Sequence, residues 1–182
     1  YKMIYTIAIH GGAGTILKSN MTPALQTQYE QGLQNALTKG YAILKAGGTA
    51  IDAVEAAVIA LEDFELFNAG RGSVFNNQGK HEMDAAIMDG KYLDAGAVSG
   101  ISQVKNPIAL AKAIMQKSEH VMLMGKGAEQ FAQQHNIAFE TDDYFFNETR
   151  YHQWQEALKE DKIQLDHSDK KFGTVGAVAL DQ

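Results

Sequence analysis

The stretch that decides the fold is FGTVGAVALD, residues 172–181, in which a polar segment changes into a short apolar run. Residues 156–171 are mostly charged or polar, whereas Val, Ala and Leu dominate after Thr174. A short apolar run bounded by polar residues is typical of a buried strand. Thr174 is therefore predicted to begin a buried strand directly after Gly173, which has no side chain. By itself the pattern favours an ordinary loop that ends in glycine over a functional site.

The composition is that of a globular protein, and it excludes several classes of function. The 182 residues are 45% hydrophobic and 21% charged, with a net charge of −6 and no Cys. An acidic chain has no electrostatic reason to bind nucleic acid or an anionic membrane. The absence of Cys excludes disulfides and a cysteine nucleophile. We expect a cytoplasmic protein with no membrane span; periplasmic or secreted locations stay open because the chain begins at Tyr1 rather than Met.

Hydrophobic periodicity and capping residues predict a sheet with helices on both sides. Thr22 with Pro23 and, further on, Thr49 are typical helix starts, and the pair Gly47 and Gly48 ends the first helix. Hairpin turns between strands imply antiparallel pairing. The predicted strands span 4–9, 73–75, 81–88, 92–101, 121–124 and 174–180, and the predicted helices span 23–46, 50–61, 107–116, 128–134 and 149–159.

A glycine-rich turn, HGGAG at 10–14, follows the first predicted strand. Glycines permit positive φ and let backbone N–H groups approach a ligand closely. The G-x-G-x-x-G spacing of dinucleotide-binding loops is absent, and no G-x-S-x-G follows, as a lipase would require. A plain tight turn is one alternative. A phosphate- or nucleotide-binding α/β module is another, although the next helix begins only after Thr22.

Two further segments are candidates for cation binding. The loop LEDFELFNAGRGS at 61–73 is long for a connector, and such loops are often functional. The string HEMD at 81–84 lacks the second His of H-E-x-x-H, and strand alternation separates His81 from Glu82 and Asp84. A metal site at 81–84 is therefore disfavoured.

Five blocks, taken together and in this order, resemble the plant-type L-asparaginases, which are also isoaspartyl (β-aspartyl) peptidases. The blocks are HGGAG at 10–14, LFNAGRGSVF at 66–75, HEMDAAIMDG at 81–90, AGAV at 95–98 and GTVGAVA at 173–179. The resemblance covers essentially the whole chain. That family belongs to the N-terminal nucleophile hydrolases, which are made as one precursor that splits itself before a Thr.

The resemblance implies an α+β fold, the four-layer αββα sandwich of the N-terminal nucleophile hydrolases. Residues 1–173 would form the α-subunit portion of a single domain, with 161–173 as a flexible linker before the cleavage point. Residues 174–182 would begin the β-subunit portion, whose remainder lies beyond Gln182. The implied partners are the protein's own β subunit and a second copy, in an (αβ)₂ heterotetramer.

The resemblance also implies a reaction. Thr174 would be the nucleophile, and Gly173–Thr174 the bond that the precursor cleaves by an N→O acyl shift. Once freed, the amine of Thr174 would titrate near pH ~7.7–8.0 and serve as the base. The residues that would support this site are Asn68 and, in the glycine-rich turn, His10, Gly11, Gly12 and Gly14.

No catalytic cofactor is implied, but a structural sodium ion is. Its ligands would be the backbone carbonyls of Leu61, Glu62, Phe64, Phe67, Ala69 and Arg71.

The implied substrates are L-asparagine and β-aspartyl dipeptides. A glycosylasparaginase-like amidase is the nearest alternative, but that branch tends to carry Asp where this chain has Gly173. A catalytically silent scaffold is a further alternative.

Overall fold

The computed structural model describes residues 4–12, 21–159 and 173–182. Helices and strands are mixed along the chain, as the predicted α+β class requires, while the four-layer sandwich stays a prediction. The elements are β1 (Thr6–His10), α1 (Pro23–Lys45), α2 (Ala50–Glu62), a short 3-10 helix (Gly70–Gly72), β2 (Met83–Met88), β3 (Ala95–Ile101), α3 (Pro107–Lys117), β4 (Met122–Met124), α4 (Gly125–Gln134), α5 (Asp142–Phe145), α6 (Glu148–Lys159) and β5 (Gly176–Leu180).

The strands form two sheets. In one, β1 and β5 pair antiparallel, with Thr6 opposite Leu180 and His10 opposite Gly176. In the other, β2 pairs antiparallel with β3, which pairs in parallel with β4. Because β1 ends where β5 begins, the chain just after His10 and the chain just before Gly176 come together at one end of the ladder.

The two long helices begin and end where the capping residues predict. Thr22 accepts a hydrogen bond from the Leu25 N–H at 3.2 Å, and Thr49 accepts one from the Asp52 N–H at 3.1 Å. Gly47, between the helices, has φ +82°, which glycine adopts without strain. Small residues let α1 and α2 approach closely: a Cβ on Gly40 would lie only 2.8 Å from the carbonyl oxygen of Ala53.

Two apolar clusters hold the elements together. The larger packs α3 and α4 on the β2–β3 sheet, and it includes Val98, Ile101, Leu110, Ala111 and Ile114. A side chain at Gly96 of β3 would strike the carbonyl oxygen of Ala111, as expected for a strand of small residues at a crowded sheet. The smaller cluster joins α1 and α2 through Ala36, Ala60, Leu61 and Phe67. Val175 packs against both clusters, so the residue that follows Thr174 sits where they meet.

The strand after Thr174 differs from its prediction. It begins at Gly176 and lies at a sheet with only β1 beside it among the described residues, so Val178 and Leu180 are 68% and 57% exposed. The prediction of a fully buried strand is therefore wrong for these residues. The far end of β5 is anchored by Asp181, whose carboxylate accepts a hydrogen bond from the Ala50 N–H at the start of α2, at 2.8 Å.

Other boundaries shift for local reasons. The predicted strand 73–75 is reduced to a single bridge between Phe75 and His81. Strand β3 starts at Ala95 rather than at residue 92, because Leu93 has φ +61° within a turn. The hairpin-linked strands β2 and β3 pair antiparallel as predicted, whereas β4, which follows helix α3, pairs in parallel with β3. The short helix α5 was not predicted, and the predicted linker 161–173 lies, except for Gly173, outside the described residues.

Candidate active site

The glycine-rich turn lies directly against the bond between Gly173 and Thr174. A Cβ on Gly12 would lie 3.4 Å from Gly173 Cα, 3.5 Å from the Gly173 carbonyl carbon and 3.7 Å from the Thr174 carbonyl oxygen. Gly12 has φ +109°, a conformation that residues with a side chain rarely adopt. Thr174 is exposed and Gly173 half-buried. The chain therefore brings together three of its predicted site residues, Gly12, Gly173 and Thr174, from its two ends.

The rest of the turn connects this bond to the loop 61–73. A Cβ on Gly11 would lie 2.9 Å from Phe67 Cε1 and 2.9 Å from Leu33 Cδ2, so only glycine fits there. His10 is the exposed last residue of β1. Gly14, the remaining predicted residue of the turn, lies outside the described residues.

Asn68 is held by a backbone contact further along the loop. Its Oδ1 accepts a hydrogen bond from the Val74 N–H at 3.0 Å. This hydrogen bond uses the oxygen of the Asn68 side chain. The amide nitrogen is left to donate a hydrogen bond to another partner. Asn68 and Thr174 both line a cavity of about 1660 Å³, to which β2 and β5 also contribute. The structure thus places Asn68 and Thr174 at the same cavity.

Glu62 adds a buried acid to this cavity. Its side chain is 3% exposed, and Oε1 accepts a hydrogen bond from the Ile108 N–H at 3.0 Å, at the start of α3. Oε2 is buried and has no hydrogen-bond partner among the described residues. Burial raises the pKa of Glu62 to about 8, against the opposing effect of the Ile108 N–H. The carboxyl group is therefore mostly protonated at neutral pH.

Ser73 and His81 form a second buried polar pair, with Ser73 also lining the cavity. Ser73 Oγ and His81 Nδ1 are 3.1 Å apart. The His81 ring lies 4.1 Å from the ring of Phe75, centre to centre, and its Nε2 has no partner among the described residues. Burial lowers the pKa of His81, which favours a neutral ring. The sequence indicated neither the partner of His81 nor the burial of Ser73.

The loop 61–73 curls through a series of tight turns. The carbonyls of Leu61, Phe64, Phe67 and Ala69 each accept a hydrogen bond from a loop N–H, at 2.9–3.2 Å. The carbonyl oxygens of Glu65 and Phe67 approach Gly72, and that of Glu62 approaches Gly70, which has φ +51°. A carbonyl oxygen has a second lone pair, and oxygen donors suit hard cations. A cation bound by the backbone of this loop stays a prediction.

Side-chain metal ligands do not gather in the same way. Over residues 4–12, 21–159 and 173–182, no group of three or more His, Cys, Asp or Glu side chains could hold a metal ion. Asp84, one of the four residues at 81–84, instead accepts a hydrogen bond from the Gly100 N–H at 2.8 Å. No helix in the described parts of the chain is long and apolar enough to cross a membrane.

Comparison with known proteins defines the class to which this arrangement belongs. A family model described as Asparaginase matches residues 3–182. The chain therefore belongs to this asparaginase family, which confirms the resemblance found in the sequence.

Individual relatives are similar over nearly the whole chain. The chain is 44% identical over 182 residues to a protein of Salmonella typhimurium named isoaspartyl peptidase, covering 97% of this chain and 58% of that protein. It is 46% and 45% identical over 176 residues to proteins of Xenopus laevis and Homo sapiens named isoaspartyl peptidase/L-asparaginase, covering 96% of this chain and 55% and 56% of those proteins. The chain thus spans a little over half the length of these relatives.

Proposed function

We propose that the protein is an amidohydrolase that cleaves L-asparagine and β-aspartyl dipeptides with Thr174 as its nucleophile, after cleaving its own chain between Gly173 and Thr174. The observation that carries the proposal is the packing of Gly12 against the Gly173–Thr174 bond. Membership of the asparaginase family and the names of the relatives support the substrate class.

The first reaction is an attack within the chain. Thr174 Oγ1 adds to the carbonyl carbon of Gly173, a new C–O bond forms, and the C–N bond breaks as the Thr174 nitrogen takes a proton. Water then hydrolyses the ester and leaves a carboxyl group on Gly173 and a free amine on Thr174. Gly173 has no side chain to obstruct the attack, and exposure of Thr174 admits the water. Gly12 lies beside the carbonyl side of this bond.

The second reaction uses the amine that the first produces. An amine in this position titrates near ~7.7–8.0, so it can accept the proton of the neighbouring hydroxyl at ordinary pH. Thr174 Oγ1 attacks the side-chain carbonyl of asparagine, ammonia leaves, and water hydrolyses the acyl-enzyme to aspartate. A β-aspartyl dipeptide presents the same carbonyl with an amino acid as the leaving group. One site therefore accepts both substrates, and the amide nitrogen of Asn68 is a donor available at its cavity.

The proposal extends to assembly and to a cation. Residues 174–182 would begin a β subunit whose further strands complete a four-layer αββα sandwich and an (αβ)₂ assembly. The exposed side chains of Val178 and Leu180 support this, since they leave one face of β5 available for packing.

A structural sodium ion would bind the carbonyls of the loop 61–73, for which the curled backbone is suited. A phosphate-binding turn is disfavoured because a Cβ on Gly12 would already meet the chain's own Gly173 at 3.4 Å.

The test replaces the hydroxyl of Thr174 in the full-length protein. Thr174→Val keeps the shape and β-branching of the side chain, so the fold should persist while self-cleavage and ammonia release both stop. Thr174→Ser keeps the hydroxyl and should retain part of each. Mass spectrometry after incubation and an ammonia assay with asparagine measure the two reactions. Cleavage before residue 174 in Thr174→Val, or wild-type ammonia release by that variant, would show that another group is the nucleophile.

A further inference from the structure

Arg150, in the first turn of α6, carries a buried positive charge that has no acidic partner in the part of the chain that the structure describes. Its side chain is 7% exposed, and none of the ion pairs among the described residues includes it. Burial lowers the pKa of the guanidinium, yet arginine stays charged in proteins. Burying an unpaired charge is costly unless its donors are satisfied. The structure must therefore satisfy this group in another way.

Backbone carbonyls of the loop 61–73 satisfy it. Arg150 Nε donates to the Gly72 carbonyl at 3.1 Å, and one terminal nitrogen donates to the Leu66 carbonyl at 3.3 Å. The other terminal nitrogen donates to Gln153 Oε1, one turn along α6, at 3.1 Å. The two loop carbonyls lie on either side of Asn68 in the sequence. The rigid fork of the guanidinium thus joins the two ends of the segment 66–72.

Neighbouring contacts hold the same segment from the same side. Asn147 donates from Nδ2 to the Glu65 carbonyl at 3.3 Å, and its Oδ1 accepts from the Arg150 N–H at 3.1 Å. The hydroxyl of Tyr29 on α1 donates to the Leu66 carbonyl at 3.4 Å. The carbonyls engaged here, those of residues 65, 66 and 72, are distinct from the six proposed to face sodium. The start of α6 therefore binds the loop through the carbonyls of residues 65, 66 and 72.

We propose that Arg150 is a positioning residue for the candidate active site, which it serves by fixing the direction of the Asn68 side chain. Asn68 is oriented by the Val74 N–H, and Val74 follows two residues after Gly72. By fixing Gly72 relative to Leu66, the guanidinium sets the position of Val74 relative to Asn68. The Asn68 amide nitrogen then points in one direction only. The catalytic consequence rests on the proposed function, whereas the structural consequence does not.

The test compares two variants of the full-length protein. Arg150→Lys keeps the charge but cannot reach both carbonyls, because an ammonium group lacks the guanidinium fork. We expect kcat to fall by ~10- to 100-fold, the effect of a small displacement of a catalytic group. KM should change by less than about twofold, because Arg150 does not touch substrate. Gln153→Met is the matched control: it removes a contact with the same guanidinium but leaves both loop carbonyls bound, so kcat should stay near wild type.

Hydrogen exchange at the Val74 amide provides a readout that does not depend on activity. Its protection should drop in Arg150→Lys and persist in Gln153→Met. If Arg150→Lys keeps both wild-type kcat and Val74 protection, or if Gln153→Met loses as much kcat as Arg150→Lys, the positioning role is wrong. If wild-type protein hydrolyses none of the proposed substrates, the proposed function fails. The protection of the Val74 amide then decides by itself whether Arg150 fixes the direction of the Asn68 side chain.

A measurement on the wild-type protein covers the case in which Arg150→Lys does not fold. The Nε–H of Arg150 should exchange slowly with solvent and show a scalar coupling to the Gly72 carbonyl in nuclear magnetic resonance spectra. The exposed Arg71, in the same loop, should show neither and serves as the internal comparison. Fast exchange of the Arg150 Nε–H would overturn the proposal.

Discussion

At the residue scale, Gly12 is where a single side chain would disturb the site most directly. Its φ of +109° disfavours any residue with a Cβ, and the added carbon would lie in van der Waals contact with Gly173. We expect Gly12→Ala to cost on the order of 1–3 kcal/mol of folding free energy and to slow self-cleavage. The half-time of cleavage, followed by mass spectrometry, and the urea midpoint measure the two effects.

The matched control is Gly127→Ala. Gly127 lies in α4 with no atom within 4 Å of an added Cβ, so alanine there should be neutral or stabilise by about 0.5–1 kcal/mol. Equal cleavage rates for Gly12→Ala and wild type would show that the turn does not hold the bond.

His81 gives the protein a pH-dependent stability. Because burial lowers its pKa below the ordinary 6.5, the unfolded chain takes up a proton at a pH where the folded chain does not. The free energy of unfolding therefore falls as the pH drops below about 6.5. The nearby charge of Asp142 raises the pKa of His81, but it offsets the effect of burial only in part.

The check replaces His81 by a residue that does not titrate. In His81→Asn the side-chain amide can still reach Ser73, and we expect a smaller loss of unfolding free energy between about pH 7.5 and about pH 5.5 than in wild type. Urea unfolding at the two pH values measures the difference. An identical loss in both proteins would mean that His81 does not titrate in this way.

At the element scale, the sequence predicts structure well where the signal is local. Helices α1 and α2 begin directly after Thr22 and Thr49, because the hydroxyl of each Thr accepts a hydrogen bond from an N–H of the first turn. Helix α1 ends shortly before Gly47, because glycine adopts positive φ without strain. These interactions join residues only three or four apart, so they are visible in a short window of sequence.

Pairing between distant elements has no such signal. Strand β5 pairs with β1, although the two strands lie near opposite ends of the sequence, and β4 pairs in parallel with β3. In both cases, the residues of a strand do not indicate which strand it will pair with. The turn at Gly79 is shaped by the ring of Trp154 on α6, 2.8 Å from where a Cβ would stand. A contact between residues so far apart in the chain has no signal in a short window of sequence.

The residues of the candidate site likewise fall into those that the sequence predicted and those that it missed. The predicted Gly12, Gly173, Asn68 and Thr174 came from resemblance to a family, and the structure brings the first two into contact. Arg150 and the Ser73–His81 pair were missed, because their importance lies in burial and in partners far along the chain. An arginine on a polar helix face looks like an ordinary exposed residue until its neighbours are known.

At the scale of the whole molecule, the proposed sodium ion should stabilise the protein. An ion that binds only the folded state raises the free energy of unfolding with its concentration. We expect a higher thermal midpoint in sodium chloride than in choline chloride at equal ionic strength, because choline is too large for the loop 61–73. Equal midpoints in the two salts would remove the ion from the proposal.

The pairing of β5 with β1 bears on what self-cleavage does to the molecule. In the proposed reaction, Thr174 is tethered covalently before the cut. Afterwards it would begin a separate polypeptide, held by the ladder from Thr6–Leu180 to His10–Gly176 and by the contact of Asp181 with Ala50. A tether supplies a high effective concentration that no dilution changes. In the proposed cleaved form, Thr174 and the glycine-rich turn would belong to two separate molecules, and their association would become subject to mass action.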